Sequence, residues 1–326
     1  MAETANGPAM TGALLGLHAL TSLHPGSGTA LGTVDLPVQR ERHTQWPTIP
    51  GSALKGVLRD ACRERTKHKY QDDAEDVEER RPRNRRDKAD EDPALVAAFG
   101  PPSSRADEHA GALGFTDMRL LAFPVRSLRG LFAWVSCPMI LDRLRRDLSL
   151  LGTSAPWTAP PSVAGNTALL VDASPCLVER GSRIVLEEFE FAKAEGSIGE
   201  VAAWLSENLL PQRESFVGIR KRFPAHFVIL SDDDFTHFAR HATEVGARIA
   251  LDYEKKTVKK GALFYQEFLP PETLFYSVVL ANGSRARGGG NLLGFLRELL
   301  PDTLQIGGDE TTGKGLCATQ LWTQSK

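Results

Sequence analysis

Long apolar runs are missing from this sequence. Nowhere does it hold the roughly 18 uncharged apolar residues that a membrane-spanning helix needs, so no membrane partner is expected. The opening residues, MAETANGPAMTG, carry no basic start followed by an apolar stretch. No secretory leader is expected from them. Cysteine is scarce: Cys62, Cys137, Cys176 and Cys317 are the four in 326 residues. No two lie at metal-ligand spacing, which argues against a zinc site. So few in so long a chain argue against a disulfide framework. A reduced, cytoplasmic protein is expected. A charge excess is missing too, since 39 Lys and Arg face 41 Asp and Glu. That excludes a globally basic nucleic-acid binder but leaves room for a local basic groove. With 41% hydrophobic and 25% charged residues, wholesale disorder is excluded.

The charge that is present is unevenly spread. Residues 63–92 hold 10 Lys and Arg and 11 Asp and Glu, an acidic block before a basic one. With almost no apolar residues, this stretch reads as a mobile insertion outside the core. Removing it leaves a body as neutral as the whole.

Around it the chain reads as alternating strands and helices. Residues 12–23 (GALLGLHALTSL) suit a buried opening strand. Residues 24–41 are rich in Gly and small polar residues and read as a long loop. Ser52 is placed to cap a helix over 53–65, where Leu54, Val57, Leu58 and Ala61 recur at helical spacing. Strands are expected at 113–125 and 131–137, with Arg129-Gly130 in the turn between them. Strand, helix, strand, strand opens a ferredoxin-like or RRM-like unit. A basic amphipathic helix at 138–152 and a Pro-rich loop at 153–165 follow. Further strands are expected at 173–179, 184–191, 225–230, 273–281, 303–306 and 316–322. Further helices are expected at 197–209, 232–244 and 289–299. Residues 250–272 form a second projection, where lysines stand beside Leu263, Phe264, Tyr265 and Phe268. An apolar wedge beside cations suits insertion between stacked bases, or a hairpin packed on its own domain. The fold class expected is α+β, an RRM-like palm with long insertions, in an order that fits two sandwiched units.

Three stretches carry candidate chemistry. Residues 308–314 spell GDETTGK, half of a phosphate-binding P-loop. An NTPase is rejected, because Gly315 stands where a magnesium-holding Ser or Thr belongs, Asp309 and Glu310 repel a triphosphate, and the next run looks like a strand. A Gly-rich turn offering backbone N–H groups to a nucleic-acid phosphate remains, or a plain tight turn. The loop at 24–41 lets the main chain approach a ligand through Gly26, Gly28 and Gly32. Within it Asp35 sits between Val34 and Leu36-Pro37, where it either caps a turn or does chemistry. Lys55 and Arg59 lie four residues apart on one helix face, either a phosphate track or a solvated surface. G-x-S-x-G and H-E-x-x-H are absent.

The segment HPGSGTALGTVDLPVQRERHTQWPTIPGSALKG, residues 24–56, resembles the N-terminal signature of the RAMP superfamily. It is most similar to the Cas-seven-type backbone subunit of type III-B CRISPR (Cmr) effectors. KKGALFYQEFLPPETLF, residues 259–275, is similar to that family's thumb. IGGDETTGKGLC, residues 306–317, resembles its glycine-rich loop. The three blocks cover about a fifth of the chain, in the family's order. The resemblance implies one RAMP domain over residues 1–326, with 63–92 as a lid-like insertion and 250–272 as the thumb. It implies partners: guide RNA, complementary target RNA, further copies of the chain and other Cmr-complex subunits. It implies an endoribonuclease that cuts target RNA at regular intervals, with Asp35 of the V-D-x-P segment as the cleavage residue. His24 and Lys55 are carried over as RNA contacts. Ser27, Arg40, Arg59, Lys256, Lys259, Phe264, Gly307, Gly308, Thr312, Gly313 and Lys314 complete the expected RNA surface. Ala30 departs from the family, where an acidic residue is common, and the 63–92 stretch does not align.

RNA brings its own nucleophile, the 2′-OH. A splayed nucleotide aligns it with the adjacent phosphorus, and Asp35 then either takes its proton or holds Mg²⁺ or Mn²⁺. A carboxylate is a weak base at neutral pH, which favours the metal-assisted role. A subunit that binds the guide without cutting is the alternative.

Overall fold

A computed structural model describes residues 11–30, 32–72, 84–157, 162–259, 261–283 and 291–324. In chain order its elements are β1 (Thr11–Ala19), β2 (Thr48–Ile49), α1 (Gly51–Thr66), α2 (Arg85–Asp90), α3 (Pro93–Phe99), β3 (Leu113–Phe115), β4 (Met118–Arg126), β5 (Phe132–Ser136) and α4 (Pro138–Leu150). Then come β6 (Thr167–Leu169), β7 (Leu177–Val178), β8 (Arg183–Leu186), β9 (Phe189–Lys193), α5 (Gly199–Asn208), α6 (Val217–His226), β10 (Phe227–Leu230) and α7 (Asp232–His241). The chain ends with β11 (Glu244–Arg248), β12 (Phe264–Phe268), β13 (Leu274–Ala281), α8 (Leu292–Leu299), β14 (Thr303–Gln305) and β15 (Leu316–Trp322). None of the described helices is long and apolar enough to cross a membrane.

The fold is α+β, built on one large mixed sheet. The order expected from the sequence, two sandwiched units, is replaced by a continuous path β14-β15-β1-β13-β4-β5-β10-β6-β9-β8-β7, with β2 on β4 and β3 on β13. Inside it lies the ferredoxin-like pattern. β13 runs antiparallel between β1 and β4, and β15 flanks β1 antiparallel on its other side. With α1 joining β1 to β4, this is a split β-α-β. The strand that fills the split is β13, not the neighbouring β5 that the sequence order suggests. β5 pairs with β4 on its far side and leads outward to β10.

Burial explains the elements. β1 is buried over seven consecutive residues, as befits a strand covered on both sides. Gly12 and Gly16 let Leu151 and Leu209 close onto it, for a Cβ at Gly16 would lie 2.4 Å from the Leu209 carbonyl oxygen. α1 buries Leu54, Leu58 and Cys62 at four-residue spacing, and Cys62 meets α8 at Leu299. Its expected cap is corrected. Ser52 lies inside the helix and makes no capping bond. The Asp117 carboxylate, from the break between β3 and β4, accepts from the Gly51 N–H at 2.7 Å instead.

Other expectations shift with tertiary context. The strand expected at 184–191 is a hairpin, β8 and β9, turned by Glu187 at φ 50°. Of 173–179 only Leu177–Val178 is a strand. Helix α6 and strand β6 were not expected. The insertion at 63–92 has helical flanks. α1 runs to Thr66, α2 buries Ala89, and Asp92 caps α3 through the N–H groups of Ala94 and Leu95. Its central residues 73–83 lie outside the described residues. Around the expected projection, β11 and β12 form a hairpin that is a separate two-stranded sheet running from Glu244 to Phe268.

Candidate RNA-cleavage site

The three sequence blocks meet at the foot of the hairpin. The loop after β1 turns back on itself, with the Gln39 N–H bonded to the Pro25 carbonyl at 2.6 Å and the Ser27 N–H to Pro37 at 3.1 Å. Its returning limb lies alongside β12, where Leu36 N–H donates to Tyr265 O and Glu267 N–H donates to Leu36 O, both at 3.0 Å. This places Asp35 opposite the outer end of β12. Asp35 is exposed, and its Oδ2 accepts from the Tyr265 N–H at 2.7 Å. The carboxylate is thus aimed by the hairpin, next to the part-exposed Phe264 and Tyr265.

A buried carboxylate locks this limb in place. Glu267 accepts from Arg40, Thr243 and the Val38 N–H at 2.5, 2.8 and 3.0 Å. A buried charge needs such full satisfaction. Nothing in the sequence singles out Glu267, because Gln266, Glu267 and Phe268 are all buried and the end of β12 shows no in–out alternation.

Two of the residues expected at the RNA surface are paired within the protein. Arg40 spends its guanidinium on Glu267, the Gln45 carbonyl and the Ala239 carbonyl, so it braces the loop. Arg59 is bonded to Asp90 and to the carbonyls of Gly100 and Pro101, so it ties α1 to α2 and the turn after α3. His24 is buried. Its Nδ1 lies 2.7 Å from the Glu267 carbonyl and its ring packs on Phe268. That makes His24 a joint beneath the loop surface. Lys55 has no ion-pair partner among the described residues, and burial together with the neighbouring Arg59 lowers its pKa. A phosphate beside Lys55 would favour its charged form.

The glycine-rich loop closes the other side. The Gly308 N–H donates to the His24 carbonyl at 3.1 Å, and Gly307 sits at φ +83°, so close that a Cβ would lie 2.2 Å from that oxygen. Thr312 and Gly313 are exposed, and Lys314 Nζ lies 5.1 Å from the centre of the Phe268 ring. The loop runs into β15 rather than a helix, which removes the P-loop geometry. Ser27 is exposed and donates to the Pro37 carbonyl. Lys256 and Lys259 are exposed on the projecting part, Lys256 over Tyr253 at 4.2 Å.

Among the described residues no group of three His, Cys, Asp or Glu side chains stands ready for a metal. A divalent ion at Asp35 would need the rest of its ligands from a bound phosphate and water. Magnesium commonly binds this way, with one or two carboxylates and substrate phosphates.

A family model of the RAMP superfamily matches residues 17–318. This chain belongs to the RAMP superfamily. Over 314 residues it is 36% identical to the CRISPR system Cmr endoribonuclease Cmr4 of Pyrococcus furiosus, covering 94% of this chain and 95% of that protein. It is thus a RAMP protein of the Cmr4 family. The crystal structure of oligomeric Cmr4 from Pyrococcus furiosus matches at TM-score 0.69 and 29% identity, over 97% of this chain and 100% of that one. A subunit in the cryo-EM structure of the type III-B Cmr-beta complex bound to cognate target RNA shares the fold. Its TM-score is 0.69 at 20% identity, over 96% of this chain and 98% of that one.

Proposed function

We propose that this RAMP protein is the repeated backbone subunit of a cytoplasmic type III-B CRISPR effector. It stacks with further copies and other Cmr-complex subunits along a guide RNA and cleaves complementary target RNA at regular intervals. Base pairing reads the sequence, so the protein holds only backbone and shape, which suits a near-neutral chain with local cations. The observation that carries this reading is the exposed Asp35 carboxylate, held by the Tyr265 amide at the foot of an aromatic-bearing hairpin. The Pyrococcus relative is named an endoribonuclease, and the related structures are of an oligomeric Cmr4 and a target-bound Cmr complex.

In the reaction the hairpin displaces one target nucleotide. The 2′-oxygen of the ribose forms a bond to the neighbouring phosphorus, and the bond to the 5′-oxygen breaks. The 2′-OH proton is lost and the leaving 5′-oxygen gains one. The products are a 2′,3′-cyclic phosphate and a 5′-hydroxyl. Alignment supplies much of the acceleration. Asp35 stands at the phosphate, where it takes the proton or holds the divalent ion. A bound Mg²⁺ or Mn²⁺ would neutralise charge on the phosphate oxygens.

The test is target cleavage by the reconstituted complex with Mg²⁺ or Mn²⁺. A regularly spaced ladder is expected. It should disappear with Asp35→Ala while target binding persists. Tight binding without a ladder from the wild-type complex would leave a structural filament subunit. Products ending in 5′-phosphate would overturn the 2′-OH mechanism.

A further inference from the structure

Asp309 is a junction. Its backbone stands at φ 64° in the left-handed region. There its carbonyl collects the Thr312 N–H, the Thr312 hydroxyl and the Lys314 N–H, which shapes the whole glycine-rich loop. Its side chain leaves the loop and reaches both strands of the hairpin. Oδ2 accepts from Gln266 Nε2 at 2.7 Å on β12, and the Arg248 guanidinium of β11 stands 3.1 Å away. Arg248 also lies over Phe268, at 5.5 Å from the ring centre. Gln266 is buried and directly follows Tyr265, whose N–H holds the Asp35 carboxylate. A path of adjacent bonds therefore runs from the glycine-rich loop through Asp309 and Gln266 to Tyr265 and Asp35.

We infer that Asp309 is a positioning residue that couples the glycine-rich loop to the cutting carboxylate. An RNA phosphate seated on residues 307–314 fixes the orientation of Asp309. Asp309 then fixes Gln266, and the Tyr265 amide next to it is held against Asp35. A carboxylate inside a phosphate-binding turn is otherwise unfavourable, because it repels the ligand. Its engagement with Gln266 and Arg248 turns that charge away from the loop surface and onto the hairpin. The consequence is that RNA seated on the glycine-rich loop makes the Tyr265–Asp35 bond, already formed in the free subunit, open less often. This rests on the reading of the loop as an RNA-phosphate site.

Hydrogen exchange at the Tyr265 amide tests the coupling independently of cleavage. In the wild-type complex with guide RNA, exchange should be at least ~10-fold slower than in the free subunit. In complexes carrying Asp309→Ala or Gln266→Leu that slowing should vanish. Single-turnover cleavage should fall at least ~10-fold in both variants with target affinity unchanged. The double variant should be no slower than either single one, as expected for residues acting in series. Asp309→Asn should restore the rate to within about threefold. Asparagine accepts from Gln266 and tolerates the left-handed backbone. Wild-type exchange and rate in the Asp309→Ala complex would overturn the inference. So would an Asp309→Asn complex as slow as Asp309→Ala. If the wild-type complex shows the exchange pattern but cuts nothing, the coupling stands and the cleavage reading fails.

Discussion

Lys55 and Arg59 look equivalent in sequence, four residues apart on one helix. The structure separates them. Arg59 is consumed by Asp90 and two carbonyls, whereas Lys55 has no such partner among the described residues. Arg59→Ala should therefore lower the thermal midpoint, since the carbonyls of Gly100 and Pro101 lose their donor, and leave guide affinity in folded complex unchanged. Lys55→Ala should do the reverse: an unchanged midpoint and weaker, less salt-dependent guide binding, since one phosphate contact is lost. Differential scanning fluorimetry and filter binding across a salt series separate the two. Asp35 stands out in the sequence because a lone carboxylate between apolar neighbours in a Gly-rich loop is conspicuous, and because it falls on a segment that resembles a family signature. Its partner was not legible. The Tyr265 amide is a backbone group 230 residues away, and side-chain identity carries no trace of it. The partner of Arg40 was hidden for the same reason, since a basic residue in a polar loop gives no sign of the buried Glu267 awaiting it.

At the level of elements, helix α1 shows where local reading stops. Its extent follows from Leu54, Leu58 and Cys62, and the sequence shows that period plainly. Its start does not. A serine in the right place suggested a side-chain cap, but the bond comes from Asp117, 66 residues later in the chain. Asp117→Ala should destabilise the protein by about 1 kcal/mol, the usual worth of a cap. Ser52→Ala should leave the urea midpoint where it was. Strands β13 and β15 were readable almost to the residue, because long β-prone runs need no context. The hairpin β8–β9 was read as one strand because its turn is made by Glu187 and Glu188, not by Gly, Asn or Asp.

Across the whole molecule, the core takes in all four cysteines. Burial pushes the Cys62 and Cys317 thiols up to about 12. In the unfolded chain a thiol ionises near about 8.5. Above that pH the unfolded state has shed protons that the folded state retains, so stability falls as pH rises. The loss approaches ~1.4 kcal/mol per pH unit for each of the two thiols between about pH 9 and pH 12. The slope of urea-derived stability against pH in that window should be shallower for Cys62→Ala than for wild type. A Cys62→Ala slope equal to wild type would show that the thiol does not stay protonated in the fold. The overall class, a sheet with helices and projecting insertions, was legible from element order. The strand order was not, since the sequence places β5 next to β4 and says nothing of β13 entering between β4 and β1.

That late entry sets a timetable for synthesis. β1 emerges from the ribosome first, yet both strands that flank it, β13 and β15, lie beyond residue 273. The loop carrying Asp35 waits as well, because β12, which aims the carboxylate, begins at Phe264. For most of translation the nascent chain therefore carries a hydrophobic ribbon with two open edges and no bond between Tyr265 and Asp35. Such a ribbon invites pairing with its neighbours on a polysome. The same delay means that an incomplete chain, released early, has no means of aiming Asp35.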